Sequence, residues 1–317
     1  MRIAHWSADE ARAVMAGGSL DQEVGAAHGV AAVVVELSDS DAGADIAAAL
    51  TALPVIAVAP GAPVDAGWDV TPDDPAEVLE GVLAAPLAAV TTTQVLRRSP
   101  TTDAADGLLV ESLAYATLQA GPEFAAWLAG RGRRVRTDDS PRLSVESRAD
   151  TTVITLSRSK LRNMMDARMR TELVEALRTA ALSEGPIVLA GDGPAFCAGG
   201  DLAEFGAVSD PATAHQIRSS ANVAPWLLRV ADRTTAHVHG ACVGAGVELA
   251  AFCGTVIAEE DARFRLPETR MGLMPGAGGT VSVPGRIGRA RTLEWLLTGH
   301  EIDVGTARDW GLVDRIR

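Results

Sequence analysis

Cysteine, tyrosine, lysine and long apolar runs are all scarce in this chain. Its 317 residues include three cysteines and one tyrosine, and Lys160 is the single lysine among 28 basic residues. No run of 18 apolar residues occurs, and no apolar stretch typical of a secretory signal follows Met1. The three cysteines form neither a CxxC pair nor an even set, which indicates a reducing compartment. These absences argue against a membrane or secreted protein, and we expect a cytoplasmic one.

Negative charge is concentrated in the first part of the chain. Residues 1–140 contain 8 basic and 20 acidic residues, a net charge of −12, whereas residues 141–317 contain 20 basic and 21 acidic residues, a net charge of −1. An acidic chain without a basic stripe is poorly suited to nucleic acid, and the nearly neutral second part suits an anionic ligand better. The difference supports a domain boundary, with the polar run 131–141 interpreted as a linker.

Three short motifs contain residue types suited to catalysis. They are AFCAGGDL at 195–202, HGACVGAGVELA at 239–250 and FRLPETRMGLMPGAGGT at 264–280. Each motif alone has a structural explanation, because glycine-rich runs often form tight turns or close helix contacts. Their order and spacing favour a shared site instead. No HExxH, phosphate-loop or CxxC motif is present, so we expect no metal.

The second motif predicts a loop that enters a helix near Ala245. N–H groups in the first turn of a helix lack intrahelical acceptors and lie at the positive end of the helix dipole. They can therefore bind an oxyanion. Ala198, in the first motif, is predicted to supply a second N–H. Two such donors would stabilise a thioester enolate, and Glu248 and Glu268 are candidates for the acid and the base.

Together the motifs resemble the crotonase (enoyl-CoA hydratase/isomerase) family, and specifically its hydratases, which carry both glutamates. The resemblance implies that Ala198 and Ala245 form the oxyanion hole and that Glu248 and Glu268 hold the reacting water. Coenzyme A is then part of the substrate, and no separate cofactor is expected. Four further residues are predicted to contact the substrate or its CoA: Gly199, Gly200, Asp201 and Arg158.

From residue 142 onward, strand and helix patterns alternate. Strands are predicted at 143–145, 151–156, 186–191, 235–239 and 255–258, and helices at 164–182, at 211–230 and around Glu248. This alternation predicts an α/β fold with a parallel sheet. The resemblance implies that residues 141–317 form the ββα spiral core of crotonases. Members of the family usually continue into further helices, which have no counterpart after Arg317.

Residues 1–140 are predicted to form an N-terminal α/β plus helical accessory domain. Two buried strands are expected at 30–37 and 53–61, and helices at 86–97 and 107–130. The helices, within about 86–131, resemble the missing tail, and the upstream part resembles a degenerate crotonase core; an unrelated accessory domain is the alternative. We expect the helices to cover a catalytic core, of this chain or a neighbour's, through apolar residues: Leu108, Leu109, Leu113, Leu118, Phe124, Trp127 and Leu128.

The resemblance implies a lyase of fatty acid metabolism that adds water to a 2-enoyl-CoA, or removes it. An isomerase, a thioester hydrolase and a decarboxylase are alternatives, because a fold does not fix a reaction. A homo-oligomer (a trimer or a multiple of one) or a complex with another crotonase-like subunit is also implied. The opposing hypothesis is a non-catalytic subunit. Retention of both Glu248 and Glu268 argues against it, because an unused buried pair is costly to keep.

Overall fold

The computed structural model describes residues 1–38, 41–132 and 139–317, so most of the predicted linker lies outside the described residues. The described N-terminal residues form strands and helices in this order: β1 (Arg2–Ser7), α1 (Ala8–Ala16), α2 (Leu20–Glu23), β2 (Val30–Glu36), α3 (Ala44–Thr51), β3 (Ile56–Val58), α4 (Ala76–Ala84), α5 (Pro86–Arg98), α6 (Ala104–Gln119) and α7 (Pro122–Arg131).

The C-terminal residues alternate strands with helices throughout. Their order is β4 (Leu143–Arg148), β5 (Thr151–Leu156), α8 (Ala167–Ala180), β6 (Ile187–Gly191), α9 (Pro211–Ser220), α10 (Ala224–Val230), β7 (Thr234–Val238), β8 (Ala241–Val243), α11 (Ala245–Phe252), β9 (Thr255–Ala258), β10 (Arg263–Arg265), α12 (Gly279–Ile287), α13 (Arg289–Thr298), β11 (Glu301–Asp303), α14 (Val304–Trp310) and β12 (Arg315–Ile316).

Two sheets organise the C-terminal part. The larger has the order β12-β9-β7-β6-β5-β4 and is parallel except for the β4–β5 hairpin, and the smaller has the order β11-β10-β8. Successive units contribute one strand to each sheet and then a helix, as in β7-β8-α11 and β9-β10-α12. Cys197 also pairs in parallel with Cys242 of β8, beside the smaller sheet. This arrangement is the predicted ββα spiral.

The N-terminal part has a smaller parallel sheet of its own. Strands β1, β2 and β3 lie in that order, with Val33 of β2 paired with Ala4 on one side and Ala57 on the other. Every residue of β2 except Glu36 is buried. Such an apolar strand is expected where both faces of a parallel sheet are covered.

Helices of the N-terminal part cover the end of the C-terminal core. Trp295 and Leu297 of α13 are 1% and 0% exposed, and α4 approaches α13 so closely that a Cβ at Gly81 would overlap the carbonyl oxygen of Leu297. A second apolar cluster joins Phe124 of α7 to Met271 and its neighbours. The two parts therefore share an apolar core.

A buried carboxylate adds an ionic link between the parts. Asp69 is 0% exposed, and its oxygens lie 2.5 Å from Nη2 of Arg97 on α5 and 2.9 Å from Nη1 of Arg289 on α13. It also accepts a hydrogen bond from the N–H of Ala57 in β3 at 2.8 Å. One side chain thus connects the N-terminal sheet, a tail-like helix and the C-terminal core.

Most predicted elements are present with shifts of a few residues at their ends. The helix predicted at 107–130 is divided at Gly121, where Pro122 begins α7, and the one predicted at 211–230 is divided into α9 and α10. Leu109 and Leu113, which were predicted to need an apolar partner, are 48% and 49% exposed, so this chain does not cover them and a partner from a neighbouring chain stays a prediction. They lie on the outer side of α6, whereas Leu108 is buried.

No single helix among the described residues is both long and apolar enough to cross a membrane. The helices α4 and α5 pass that test only as a pair, across a bend of 110°.

Candidate active site

A cavity of about 410 Å³ lies where the three sequence motifs meet. Its walls include Glu248, Glu268, Ala245 and Gly200 from the C-terminal part. The N-terminal helices contribute to the same walls through three side chains: Tyr115, Gln119 and Phe124. The cavity is therefore built by both parts of the chain.

The loop at 198–200 and the start of α11 lie against each other with little space between them. A Cβ at Gly199 would lie 3.1 Å from the carbonyl oxygen of Val243, and a Cβ at Gly246 would lie 2.5 Å from the carbonyl oxygen of Cys197. Gly199 also has a φ of +89°, in the left-handed region, where glycine is not strained. Side chains at these positions would push apart the two backbone segments that were predicted to bind an oxyanion.

The backbone donors differ from the prediction at one position. The N–H of Ala198 donates a hydrogen bond to the carbonyl oxygen of Arg162 at 2.9 Å, so the prediction that Ala198 supplies an oxyanion donor is wrong. The N–H groups of Gly200 and Ala245 have no hydrogen-bond acceptor in the part of the chain that the structure describes, and both residues line the cavity. The available pair is therefore Gly200 with Ala245.

Glu248 is held by backbone donors in the glycine-rich loop. Its Oε2 accepts hydrogen bonds from the N–H groups of Ala277 at 2.7 Å and Gly279 at 2.8 Å. The side chain is 2% exposed. Burial raises the pKa of Glu248 well above its usual value, and the neighbouring charges of Glu111 and Glu268 raise it further. A carboxyl in this environment can hold a proton at neutral pH.

Glu268 presents an unpartnered carboxyl oxygen to the same cavity. Its Oε2 is buried with no hydrogen-bond partner among the described residues. Its Oε1 lies so close to Gly244 that a Cβ there would overlap it. Burial raises the pKa of Glu268 to about 7, and the charge of Glu111 acts in the same direction. Glu268 can therefore donate or accept a proton near neutral pH, as an acid or base catalyst must.

A third buried carboxyl, which the motifs did not reveal, comes from the N-terminal part. Glu111 of α6 is 1% exposed; its Oε1 accepts from the N–H of Gly278 at 2.7 Å, and its Oε2 accepts from the N–H of Thr280 at 2.9 Å. Thr280 Oγ1 also donates to Glu111 Oε2 at 2.7 Å. Four consecutive N–H groups, from 277 to 280, are thus shared alternately between Glu248 and Glu111.

Burial and these hydrogen bonds have opposite effects on the pKa of Glu111. Burial raises its pKa, while the hydrogen bonds from Thr280 and Gly278 lower it. Gly278 precedes α12, so the two carboxyls together satisfy N–H groups at the start of that helix that have no intrahelical acceptor. No catalytic motif surrounds Glu111 in the sequence, and only its position on a tail-like helix could have drawn attention to it.

Aromatic side chains of α7 lie beside the cavity. Phe124 and Trp127 stack with ring centroids 5.9 Å apart, and each lies 6.3 Å from the ring of Phe205 in the loop after the first motif. A Cβ at Gly272 would lie 2.5 Å from the backbone nitrogen of Phe124. The tail-like helices therefore contact the segment that follows Glu268 as well as the loop that follows Gly200.

Two predicted substrate contacts are instead part of a buried ion-pair cluster. Arg158 is 3% exposed; its Nη1 lies 2.8 Å from Oδ2 of Asp201, and its Nη2 lies 3.5 Å from Oδ2 of Asp166. The prediction that Arg158 contacts pantetheine or phosphate is not supported by this placement. Asp201 lines the cavity, but its carboxylate is engaged by Arg158. Its effect on the site is to fix the loop beside Gly200.

The cysteines do not add a nucleophile to this site. Cys197, next to the oxyanion loop, is fully buried, and burial raises the pKa of its thiol to about 12. A thiol that stays protonated is a weak nucleophile. Within residues 1–38, 41–132 and 139–317, no group of three or more His, Cys, Asp or Glu residues is arranged to hold a metal ion.

Comparison with known proteins agrees with this geometry. The family model described as enoyl-CoA hydratase/isomerase matches residues 146–317, more than half of the chain. The chain belongs to this family. The match covers the ββα core and all three motifs. Residues 1–145 lie outside it, although they contribute Glu111, Tyr115 and Gln119 to the site.

Two curated relatives are assigned as enoyl-CoA hydratases. The Rhizobium meliloti protein is 35% identical over 178 residues, which cover 55% of this chain and 68% of that protein. The Rhodobacter capsulatus protein is 38% identical over 164 residues, covering 51% of this chain and 63% of that protein. This chain thus spans about two thirds of the length of the curated relatives it matches.

A solved structure shows the same fold with a ligand. It is of a Thermobifida fusca protein assigned as an enoyl-CoA hydratase, in complex with acetoacetyl-CoA; it is 31% identical, with a TM-score of 0.51. The similarity covers 55% of this chain and 73% of that one.

Proposed function

We propose that this chain is an enoyl-CoA hydratase, which adds water to the C2=C3 bond of a 2-enoyl-CoA or catalyses the reverse reaction. One observation carries the proposal. Glu248 and Glu268 both have a raised pKa and line the same cavity. The backbone N–H groups of Gly200 and Ala245, which line that cavity too, have no acceptor among the described residues.

The N–H groups of Gly200 and Ala245 bind the thioester oxygen in this mechanism. Conjugate addition places negative charge on that oxygen as the enolate forms, and the two donors stabilise it more strongly than they stabilise the ground state. Removing one donor of this kind typically costs about 3–4 kcal/mol of transition-state stabilisation. The two donors lie on two backbone segments that pack closely against each other. This close packing requires glycine at positions 199 and 246.

The two glutamates hold the water molecule between them. The oxygen of the water bonds to C3 while one of its protons passes to a carboxylate, and the other carboxyl delivers a proton to C2. Glu248 has one oxygen fixed by Ala277 and Gly279, which leaves Oε1 for the water. Glu268 has Oε2 without a partner among the described residues. Because nearby buried carboxyls rarely ionise together, the pair is expected to share a proton.

The glutamate-to-glutamine variants test this assignment. Glu248→Gln and Glu268→Gln preserve shape and remove proton transfer, so each is expected to lower kcat roughly 10²- to 10⁴-fold while CoA binding persists. The assay follows the loss of the conjugated thioester absorbance on enoyl-CoAs of different chain length, and product analysis distinguishes hydration from isomerisation, hydrolysis or decarboxylation. Near-wild-type turnover by both variants would refute the acid/base roles. Absence of both turnover and CoA binding in the wild type would favour the non-catalytic subunit.

Three related expectations stay predictions. They are assembly into a homo-oligomer or a complex with another crotonase-like subunit, the absence of a cofactor other than the CoA of the substrate, and a role in fatty acid metabolism within the cytoplasm.

A further inference from the structure

Two arginines line the cavity without forming an ion pair with any carboxylate among the described residues. Arg170 lies on α8 and Arg218 on α9, and both contribute to the walls that also contain Glu248 and Glu268. The Nε of each guanidinium is buried, and neither has a hydrogen-bond partner in the described part of the chain. Unpaired buried donors of this kind are costly unless a ligand satisfies them.

Arg218 is held in position by the N-terminal part. Its guanidinium carbon lies 3.7 Å from the ring centroid of Tyr115, a cation–π contact. Its Nη1 donates to the carbonyl oxygen of Gly276 at 3.2 Å, and its Nη2 donates to Oε1 of Gln119 at 3.3 Å. A guanidinium has five N–H donors, so these contacts fix its orientation and leave donors for a ligand.

Three of the acidic side chains in the cavity are engaged elsewhere. Both oxygens of Glu204 accept from the N–H of Ala167, at 2.9 Å and 3.1 Å. Asp201 is paired with Arg158, and one oxygen of Glu248 accepts from backbone N–H groups. The fourth, Glu268, lies against Gly244 on the oxyanion side. None forms an ion pair with Arg170 or Arg218 among the described residues, so the two arginines offer positive charge to a ligand.

The two guanidiniums also affect each other. Burial lowers the pKa of Arg170, the charge of Glu204 partly offsets this, and the charge of Arg218 lowers that pKa further. A bound anion between them would remove the repulsion. Guanidinium groups bind carboxylates through paired, parallel hydrogen bonds.

We infer that the acyl group of the substrate ends in a carboxylate, which binds to Arg170 and Arg218. This rests on the proposed function, since it adds a substrate class to the same site. The substrate would be a 2-enoyl-CoA with a carboxylate at the end of the chain opposite the thioester. Arg218 contacts Gly276, and the next residue, Ala277, donates to Glu248. The arginine is therefore close to the reacting carbons of the substrate. The phosphates of CoA lie at the other end of the pantetheine arm, away from these carbons.

Pairs of substrates of equal length test this inference. Wild-type kcat/KM is measured on 2-enoyl-CoAs with five, six and seven acyl carbons, each with a terminal carboxylate or a terminal methyl group. We expect the best carboxylated substrate to exceed its uncharged counterpart by at least roughly tenfold. Arg170→Met and Arg218→Met should each lower kcat/KM on it roughly 10- to 100-fold, the usual effect of losing a charged hydrogen bond. The ratio of kcat/KM on the carboxylated substrate to kcat/KM on its uncharged counterpart should fall by the same factor, whatever loss the two substrates share.

Arg168→Met is the matched control. Arg168 lies on the same helix as Arg170, but its side chain is 55% exposed and pairs with Glu172 at 2.7 Å. This variant should retain the wild-type preference. The activity of each variant on uncharged substrates also reports whether a loss on the carboxylated substrate comes from misfolding.

Calorimetric binding of saturated thioesters separates this inference from the hydratase assignment. Tighter binding of glutaryl-CoA than of pentanoyl-CoA, lost in the two Met variants, would support the carboxylate site even if no enoyl-CoA is hydrated. Hydration of uncharged substrates with no preference for carboxylated ones would overturn the inference and leave the hydratase. The inference would also be overturned if the Met variants lost as much affinity for free CoA as for glutaryl-CoA, because the arginines would then bind the phosphates of CoA.

Discussion

Residues 1–132 and residues 139–317 both contain a parallel sheet covered by helices, yet they carry different kinds of information. The second region contains all three motifs and the whole family match. The first contains none of the motifs, but it contributes Glu111 to the loop that holds Glu248 and Tyr115 to the cavity wall. A region without a recognisable motif can thus be part of a site when its helices complete the fold around it.

The two regions also differ in net charge. Among residues 1–140 the net charge is −12, whereas among residues 141–317 it is −1. Two of the acidic side chains of the first region are fully buried at its boundary with the second: Asp69 binds two arginines, and Glu111 binds backbone N–H groups. These two side chains therefore help to join the regions.

The largest effect of a single substitution is expected at the ionic link. Asp69→Asn leaves Arg97 and Arg289 with no full negative charge to pair with, and breaking a buried ion pair of this kind typically costs about 3–5 kcal/mol. We expect the free energy of unfolding to fall by this amount in denaturant titrations of the full chain. Asp45→Asn is the control, since that carboxylate pairs with Arg12 at an exposed site. If both variants were equally stable, the link would not join the regions energetically.

A smaller effect, on catalysis, is expected at Glu111. Glu111→Gln replaces one acceptor oxygen by an amide NH₂, which cannot accept from Gly278 or Thr280. Small displacements of catalytic groups cost up to roughly 100-fold in rate, and we expect kcat to fall roughly 10- to 100-fold with KM little changed. The pH profile provides a second measurement: the charge of Glu111 raises the pKa of Glu268, so its removal should shift that ionisation to lower pH.

Glu123→Gln is the control for Glu111. Glu123 caps a helix in the same way, accepting from the N–H groups of Leu87 and Ala88 at 2.8 Å and 2.9 Å. Among the described residues, it accepts no hydrogen bond from the loop at 276–280. It should lower stability without shifting the pH profile. If Glu111→Gln behaved like Glu123→Gln, Glu111 would have only a structural role.

Periodicity, motif spacing and the family resemblance were sufficient to predict the core and to select Glu248 and Glu268, which line one cavity in the structure. The strands β5, β6, β7 and β9 lie close to their predicted positions, because buried parallel strands are short apolar runs that need no knowledge of the partner strand. The oxyanion donor was misplaced by two residues, at Ala198 instead of Gly200. The N–H of Ala198 is occupied by a hydrogen bond to the carbonyl oxygen of Arg162, a residue distant in sequence, and the motif alone does not reveal this contact. Glu111 was missed for the same reason, as its partners lie 167 and 169 residues away.

Expression of residues 141–317 alone tests most directly whether the two regions form one catalytic unit. Without the N-terminal helices, Trp295 and Leu297 lose their cover, and the loop at 276–280 loses Glu111. Exposed apolar surface of this kind promotes association. We therefore predict an aggregating or inactive fragment, measured by size-exclusion chromatography and by the enoyl-CoA absorbance assay against the full chain. A soluble fragment with full activity would contradict this account and would make residues 1–140 an independent accessory domain.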